Sequence, residues 1–135
     1  DKDTVVVHDG SQAGGFAIPN LKTAQEFTKT QNFNATSLSD GSTISWDASS
    51  NQVAKVTLGG NRALAAATNQ VDGAVYVLSV TQDGSGSRTL SFNSNYKFTG
   101  GTAPTLTTTA SATDILVFLS NGTNMQEIGR SLNVS

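Results

Sequence analysis

No cysteine occurs in this chain, which removes disulfides, thiolate nucleophiles and cysteine-ligated metal sites together. Histidine occurs once, at His8, so zinc, which normally takes several His or Cys ligands, has no donor set. Glutamate occurs twice and methionine once, so good helix formers are scarce. Charge is sparse too. Charged residues make up 13% of the chain, and the net charge of −2 includes no basic run able to track a phosphate backbone. No nucleic-acid partner is expected. No apolar run approaches the roughly 20 residues of a helical membrane span, and no membrane partner is expected either.

Hydroxyl, amide and glycine residues fill the gap. The 135 residues hold 16 Ser, 18 Thr, 11 Asn and 13 Gly, a composition of strands and turns. That length fits one domain with one core. Turn pairs recur at Asp9-Gly10, Asp40-Gly41, Asp72-Gly73, Asp83-Gly84 and Asn121-Gly122, and Gly59-Gly60 and Gly100-Gly101 mark further bends. Between them TVVVH, TSLSDGSTISW, QVAKVTL, AVYVLSV, RTLSF, DILVFLS and MQEIGRSL read as short strands.

Alternation assigns faces to several of these strands. Over residues 52–58 it puts Val53, Lys55 and Thr57 on one side and Ala54, Val56 and Leu58 on the other. Over residues 74–81, Tyr76, Leu78 and Val80 share the more apolar side. Residues 115–119 are apolar on both faces, which predicts a central strand covered on both sides. Asn121-Gly122 then predicts a C-terminal hairpin. No repeat of fixed period is evident. The expected fold is all-β: a single β-sandwich, jelly-roll-like.

The first 31 residues read differently. Their glycines and Pro19 predict an extended N-terminal arm, residues 1–31, ahead of a compact sandwich domain, residues 32–135. The apolar residues of the arm, Val5, Val6, Val7, Phe16 and Ile18, have no evident partner within the domain. They are the candidate contacts to another protein.

Catalytic readings fare poorly. The stretch DGSGSR, residues 83–88, is glycine-rich and ends on a cation. It lacks the Lys-Ser/Thr ending of a phosphate-binding P-loop and runs into the strand-like RTLSF, so it reads as a hairpin bend. His8 lies on the arm, and no Gly-x-Ser-x-Gly elbow is present. Four of the eight Asp precede Gly, where turn chemistry accounts for them. Asp47, Asp114, Glu26 and Glu127 are not paired in sequence as a glycosidase would need. No catalytic, cofactor or metal site is assigned. Trp46, Tyr76 and Tyr96 are the candidate glycan contacts, by stacking on a sugar ring, though a lone Trp in a domain of this size more often belongs to the core.

Residues 33–129 resemble a β-structured domain that recurs in virion proteins of tailed bacteriophages. The resemblance is carried by FNATSLSDGSTISWD, NQVAKVTLGGNRALAAATN, VLSVTQDGSGSRTLSFNSNYKFTGGTAPTLTTTA and DILVFLSNGTNM. In relatives an aromatic often follows the SNGTN turn; here that position is Met125. The resemblance implies a non-enzymatic β-sandwich used for assembly or adhesion, in head decoration proteins or in tail fibres. The chain shows neither a tail-attachment region nor a repetitive shaft. The expected role is therefore capsid decoration on the outer surface of the virion. Its partners would be the major capsid protein and neighbouring copies of itself, in a homo-oligomer. The alternative is a distal tail-fibre domain that binds bacterial-surface glycan.

Overall fold

The computed structural model describes residues 28–134, together with the backbone of residues 6–7 and 16–17. The chain divides into two compact units, Asp1–Asn32 and Phe33–Ser135. In the first, β1 (Val6–Val7) pairs antiparallel with β2 (Phe16–Ala17). Of the rest of the expected arm only residues 28–31 are described; Val5, Ile18 and the side chains of Val6, Val7 and Phe16 lie outside the described residues.

The second unit is built from short strands separated by the turn residues. They are β3 (Thr36–Ser37), β4 (Thr43–Ile44), β5 (Val53–Leu58), β6 (Arg62–Leu64), β7 (Val75–Gln82), β8 (Leu90–Phe92), β9 (Tyr96–Lys97), β10 (Thr113–Ser120) and β11 (Met125–Val134). A larger sheet of six strands has the order β3-β5-β7-β10-β11-β9, and a smaller one of three has the order β4-β6-β8. The two-sheet, all-β architecture is as expected.

The connectivity differs from a jelly roll. From β3 to β9 the chain changes sheet at every step. Thr36, Ala54 and Leu78 are therefore parallel neighbours in the larger sheet, and Thr43, Ala63 and Ser91 in the smaller one. A parallel neighbour cannot be reached through a hairpin, because the chain must first travel back. Here a strand of the opposite sheet makes the return. Jelly rolls are instead assembled from antiparallel Greek keys. Asp40-Gly41, Gly59-Gly60, Asp72-Gly73 and Asp83-Gly84 are accordingly corners between sheets. The chain becomes antiparallel only at its end, where β10 pairs with β7 and with β11. Asn121-Gly122 turns that last hairpin as expected, with Gly122 at φ +81°.

The core lies between the sheets, and alternation decides who enters it. Ala54, Val56 and Leu58 of β5, and Tyr76, Leu78 and Val80 of β7, all point inward as their spacing requires. Ile44, Leu64 and Leu90 meet them from the smaller sheet. Trp46 stands edge-on to Tyr76, with ring centroids 5.9 Å apart. Phe118 lies edge-on to both Tyr96 (5.5 Å) and Phe98 (6.1 Å).

β10 is central in the sheet, but only one of its faces is fully covered. Leu116 and Phe118 are buried, whereas Ile115 and Val117 are half-buried and Leu119 is exposed. The expectation of cover on both sides fails because the smaller sheet packs on the inner face alone. On the outer face, Val117 aligns with Val77 and Val53, and Leu119 with Val75, as a narrow apolar strip.

Phe118 has no exposed surface and sits at the middle of the aromatic cluster. Replacing it with Ala removes that packing and leaves a cavity, and the expected loss is about 3–5 kcal/mol. Denaturant unfolding of Phe118→Ala against the parent chain measures it.

Candidate functional site

The three aromatics expected to grip a sugar ring are in the core. Trp46 is 2% exposed, Tyr76 1% and Tyr96 4%, so none presents a ring face to solvent. This corrects the stacking expectation. Each aromatic falls on an inward position, where burial of a large apolar ring outweighs any use outside. The Tyr76 hydroxyl accepts a hydrogen bond from the Val71 amide at 2.9 Å. Burial pushes the Tyr96 phenol pKa upward. Met125, which follows the SNGTN turn, is also fully buried, so that position packs the core and forms no platform.

The DGSGSR loop is a corner from β7 to β8, which lie in different sheets, so the expected hairpin bend is not one. Its charge is internally balanced. The Asp83 carboxylate accepts from the amides of Ser85 (3.0 Å) and Gly86 (2.8 Å) through one oxygen, and from Arg88 Nε (3.0 Å) and Nη2 (2.8 Å) through the other. The buried Gln82 side chain donates to the Arg88 carbonyl and accepts from the Arg88 amide. The Ser85 and Gly86 amides and the Arg88 guanidinium, the groups a phosphate would use, are thus already engaged. Gly86 has φ +68°, and a Cβ there would stand 2.5 Å from the Thr108 carbonyl oxygen. The corner is therefore packed tightly against the loop at Thr108–Ala110, ahead of β10.

Most of the other described carboxylates, Asp72 excepted, are engaged in the same way. Asp40 takes Arg62 Nε and Nη2, each at 2.7 Å, and ties the corner after β3 to the corner after β5. Asp47 accepts from Asn69 and from both the amide and hydroxyl of Ser49. Buried Asp114 accepts from the amides of Thr107 (2.6 Å) and Asn133 (2.8 Å). Glu127 pairs with Arg130 and accepts from the Thr99 amide. Among the described residues no group of three or more His, Cys, Asp or Glu could hold a metal ion. His8 and Glu26 lie outside the described residues.

The open polar feature is on the outward face of the larger sheet. A groove of about 430 Å³ lies over β3, β5 and β7, lined by Ser37, Leu38, Lys55, Val56, Thr57, Ser79 and Thr81. The parallel register builds it. Ser37, Lys55 and Ser79 are neighbours across three strands, and Thr57 and Thr81 are neighbours two residues further on. Thr81 is held from behind by Thr113, the two hydroxyl oxygens lying 2.9 Å apart. Sequence alternation already places Lys55 and Thr57 on one face. What it lacks is the pairing that brings Ser37 and Ser79 alongside them. A second groove, of about 220 Å³, lies beside Arg88, Leu90, Pro104 and Leu106, but its cation is the one bound to Asp83. The first groove presents hydroxyls that both donate and accept, and Lys55 adds a donor.

A family model described as "Putative phage tail fibre C-terminal domain" matches residues 37–125. No curated protein and no solved structure matches the chain.

Two tests follow from the corner geometry. Gly86→Ala must force a positive φ and a backbone clash, with an expected loss of about 2–4 kcal/mol, whereas Gly84→Ala, in open space, should stay within about 0.5 kcal/mol. Chemical denaturation of both variants compares them. The second concerns acid. The guanidinium beside Asp40 and that beside Asp83, and the Asn69 amide beside Asp47, hold these carboxyls below the ordinary value of 3.8. A depressed folded-state pKa adds stability above the unfolded value, and that stability is lost as pH falls through the folded one. Thermal midpoints should be flat from neutral pH to about 5 and should fall below about 4, as read by circular dichroism.

Proposed function

The chain belongs to the phage tail fibre C-terminal domain family, whose model spans residues 37–125, and from that membership we propose that it is the host-contacting domain of a tail fibre and grips a bacterial-surface glycan. It is a phage structural protein, and the matched region runs from β3 to the start of β11, which is nearly the whole two-sheet body. That match is the observation that carries the reading. The hydroxyl-lined groove supports it, because a saccharide is recognised largely through hydrogen bonds to its own hydroxyls.

Capsid decoration, the role first expected, gives way to this reading. It rested on the lack of a shaft and of an attachment region. A family described as a C-terminal domain of a fibre accounts for that without a capsid site. The proposed ligand contact also moves, from Trp46, Tyr76 and Tyr96 to the side chains over β3, β5 and β7. Contacts of this kind are individually weak, and a particle that presents several copies gains adhesion through avidity.

The test is competition. Soluble protein added to host cells ahead of phage should reduce adsorption in proportion to its concentration, and enzymatic removal of surface glycan should abolish its binding to cells. If the protein fails to compete, and antibody labelling finds it on heads rather than on fibres, the adhesion reading is wrong.

A further inference from the structure

We infer that the groove over β3, β5 and β7 takes an acidic saccharide, with Lys55 Nζ bonding its carboxylate or phosphate while Ser37, Thr57, Ser79 and Thr81 bond ring hydroxyls. This rests on the glycan reading above and narrows its ligand class.

Charge distribution is the first argument. Among the described residues, Arg62, Arg88 and Arg130 are each held in an ion pair, with Asp40, Asp83 and Glu127. Lys55 is in no ion pair among these residues, and it is exposed. The groove lining contains no Asp or Glu, so no internal carboxylate competes for the ammonium or repels an incoming anion. Lys29 and Lys97 are likewise in no ion pair among these residues, so what singles out Lys55 is its place, an unpaired cation set among the hydroxyls of the groove. A charge-assisted bond to an anionic oxygen is about twice as strong as a neutral one, so an acidic group is what this groove distinguishes best.

Spacing is the second. Parallel strands about 4.8 Å apart set Ser37, Lys55 and Ser79 side by side, and the pleat repeats about 6.6 Å along the chain at Thr57 and Thr81. The ammonium is therefore flanked by hydroxyls on both sides and along its own strand. Thr81 is restrained by Thr113, so part of this array is already ordered before a ligand arrives. The groove is lined by side chains on the faces of β3, β5 and β7, with β3 the edge strand of the sheet. Side-chain hydroxyls with one cation suit a charged polyol.

Titration calorimetry on the full chain tests this with three oligosaccharides of equal length: neutral hexose, hexuronate and phosphorylated hexose. An oligoglutamate peptide is the fourth probe. Hexuronate, phosphorylated hexose or both should bind more tightly than the neutral oligomer, and which of them does so identifies the anionic group. Lys55→Gln should weaken the acidic oligomers about tenfold and leave the neutral one unchanged, while Lys55→Arg keeps most of the affinity. Raising NaCl from about 0.05 M to about 0.5 M should weaken only the acidic oligomers. Thr57→Val, close in shape, should weaken every oligomer and so reports on the same groove independently. Equal binding of neutral and acidic oligomers, or an unchanged affinity in Lys55→Gln, overturns the inference but leaves the glycan reading standing. Oligoglutamate binding with the same dependence on Lys55 also overturns it. Should no oligosaccharide bind while soluble protein still blocks adsorption, the glycan reading itself fails.

Discussion

Contact between the inward faces of the two sheets is the constraint on which the rest of the structure depends. The strands of the smaller sheet are two or three residues long, too short to hold together by their own hydrogen bonds. They persist because Ile44, Leu64 and Leu90 are pressed against Ala54, Leu58, Leu78 and Leu116 of the larger sheet. Trp46, just beyond β4, reaches across to Tyr76 of β7 and joins the layers through an aromatic edge contact. Burial of this one shared core orders both layers at once, and neither layer has a second core to fall back on.

Coiling follows from that arrangement and sets the chemistry of the surface. Because successive strands stack in parallel, the corners between them stack as well. The carboxylate of Asp40 ties the first corner to Arg62, and the Asn61 side chain accepts from Thr89 in the third. Such pairs are partly exposed and individually weak, with a median near 0–1 kcal/mol. Their larger effect is on charge placement. They hold two of the arginines at the corners, while Glu127 holds Arg130 on β11. The outward face over β3, β5 and β7 is left with lysine and hydroxyls.

That face has two halves of different character. Towards Ser37, Lys55 and Thr57 it is polar and grooved; towards Val53, Val77, Val117 and Leu119 it is apolar. With Trp46, Tyr76 and Tyr96 buried, the grooved half offers hydrogen-bonding groups and no ring face, and the parallel sheet sets those groups in regular rows. The aromatic rings have a different use. Phe92, Tyr96, Phe98 and Phe118 are clustered inside, where they fill the space between β8, β9 and β10.

The sequence by itself determined the all-β class, the places of most strands, the inward rows of β5 and β7 and the final hairpin. Each of these follows from local chemistry: hydroxyl and β-branched residues favour extended chain, Asn-Gly permits positive φ, and side chains alternate with a period of two. Register and sheet membership are not local. Asp-Gly permits a corner and a hairpin turn alike, so DGSGSR gave no sign of which sheet its second strand would join. The loops between β6, β7 and β8 differ in length, which hid the coil from any search for a fixed repeat. Alternation put Lys55 and Thr57 on one face, but only parallel pairing placed Ser37 and Ser79 beside them. Whether Trp46 and Tyr96 would meet solvent or core was likewise decided by tertiary structure, because burying a ring requires a partner layer that the neighbouring residues do not specify.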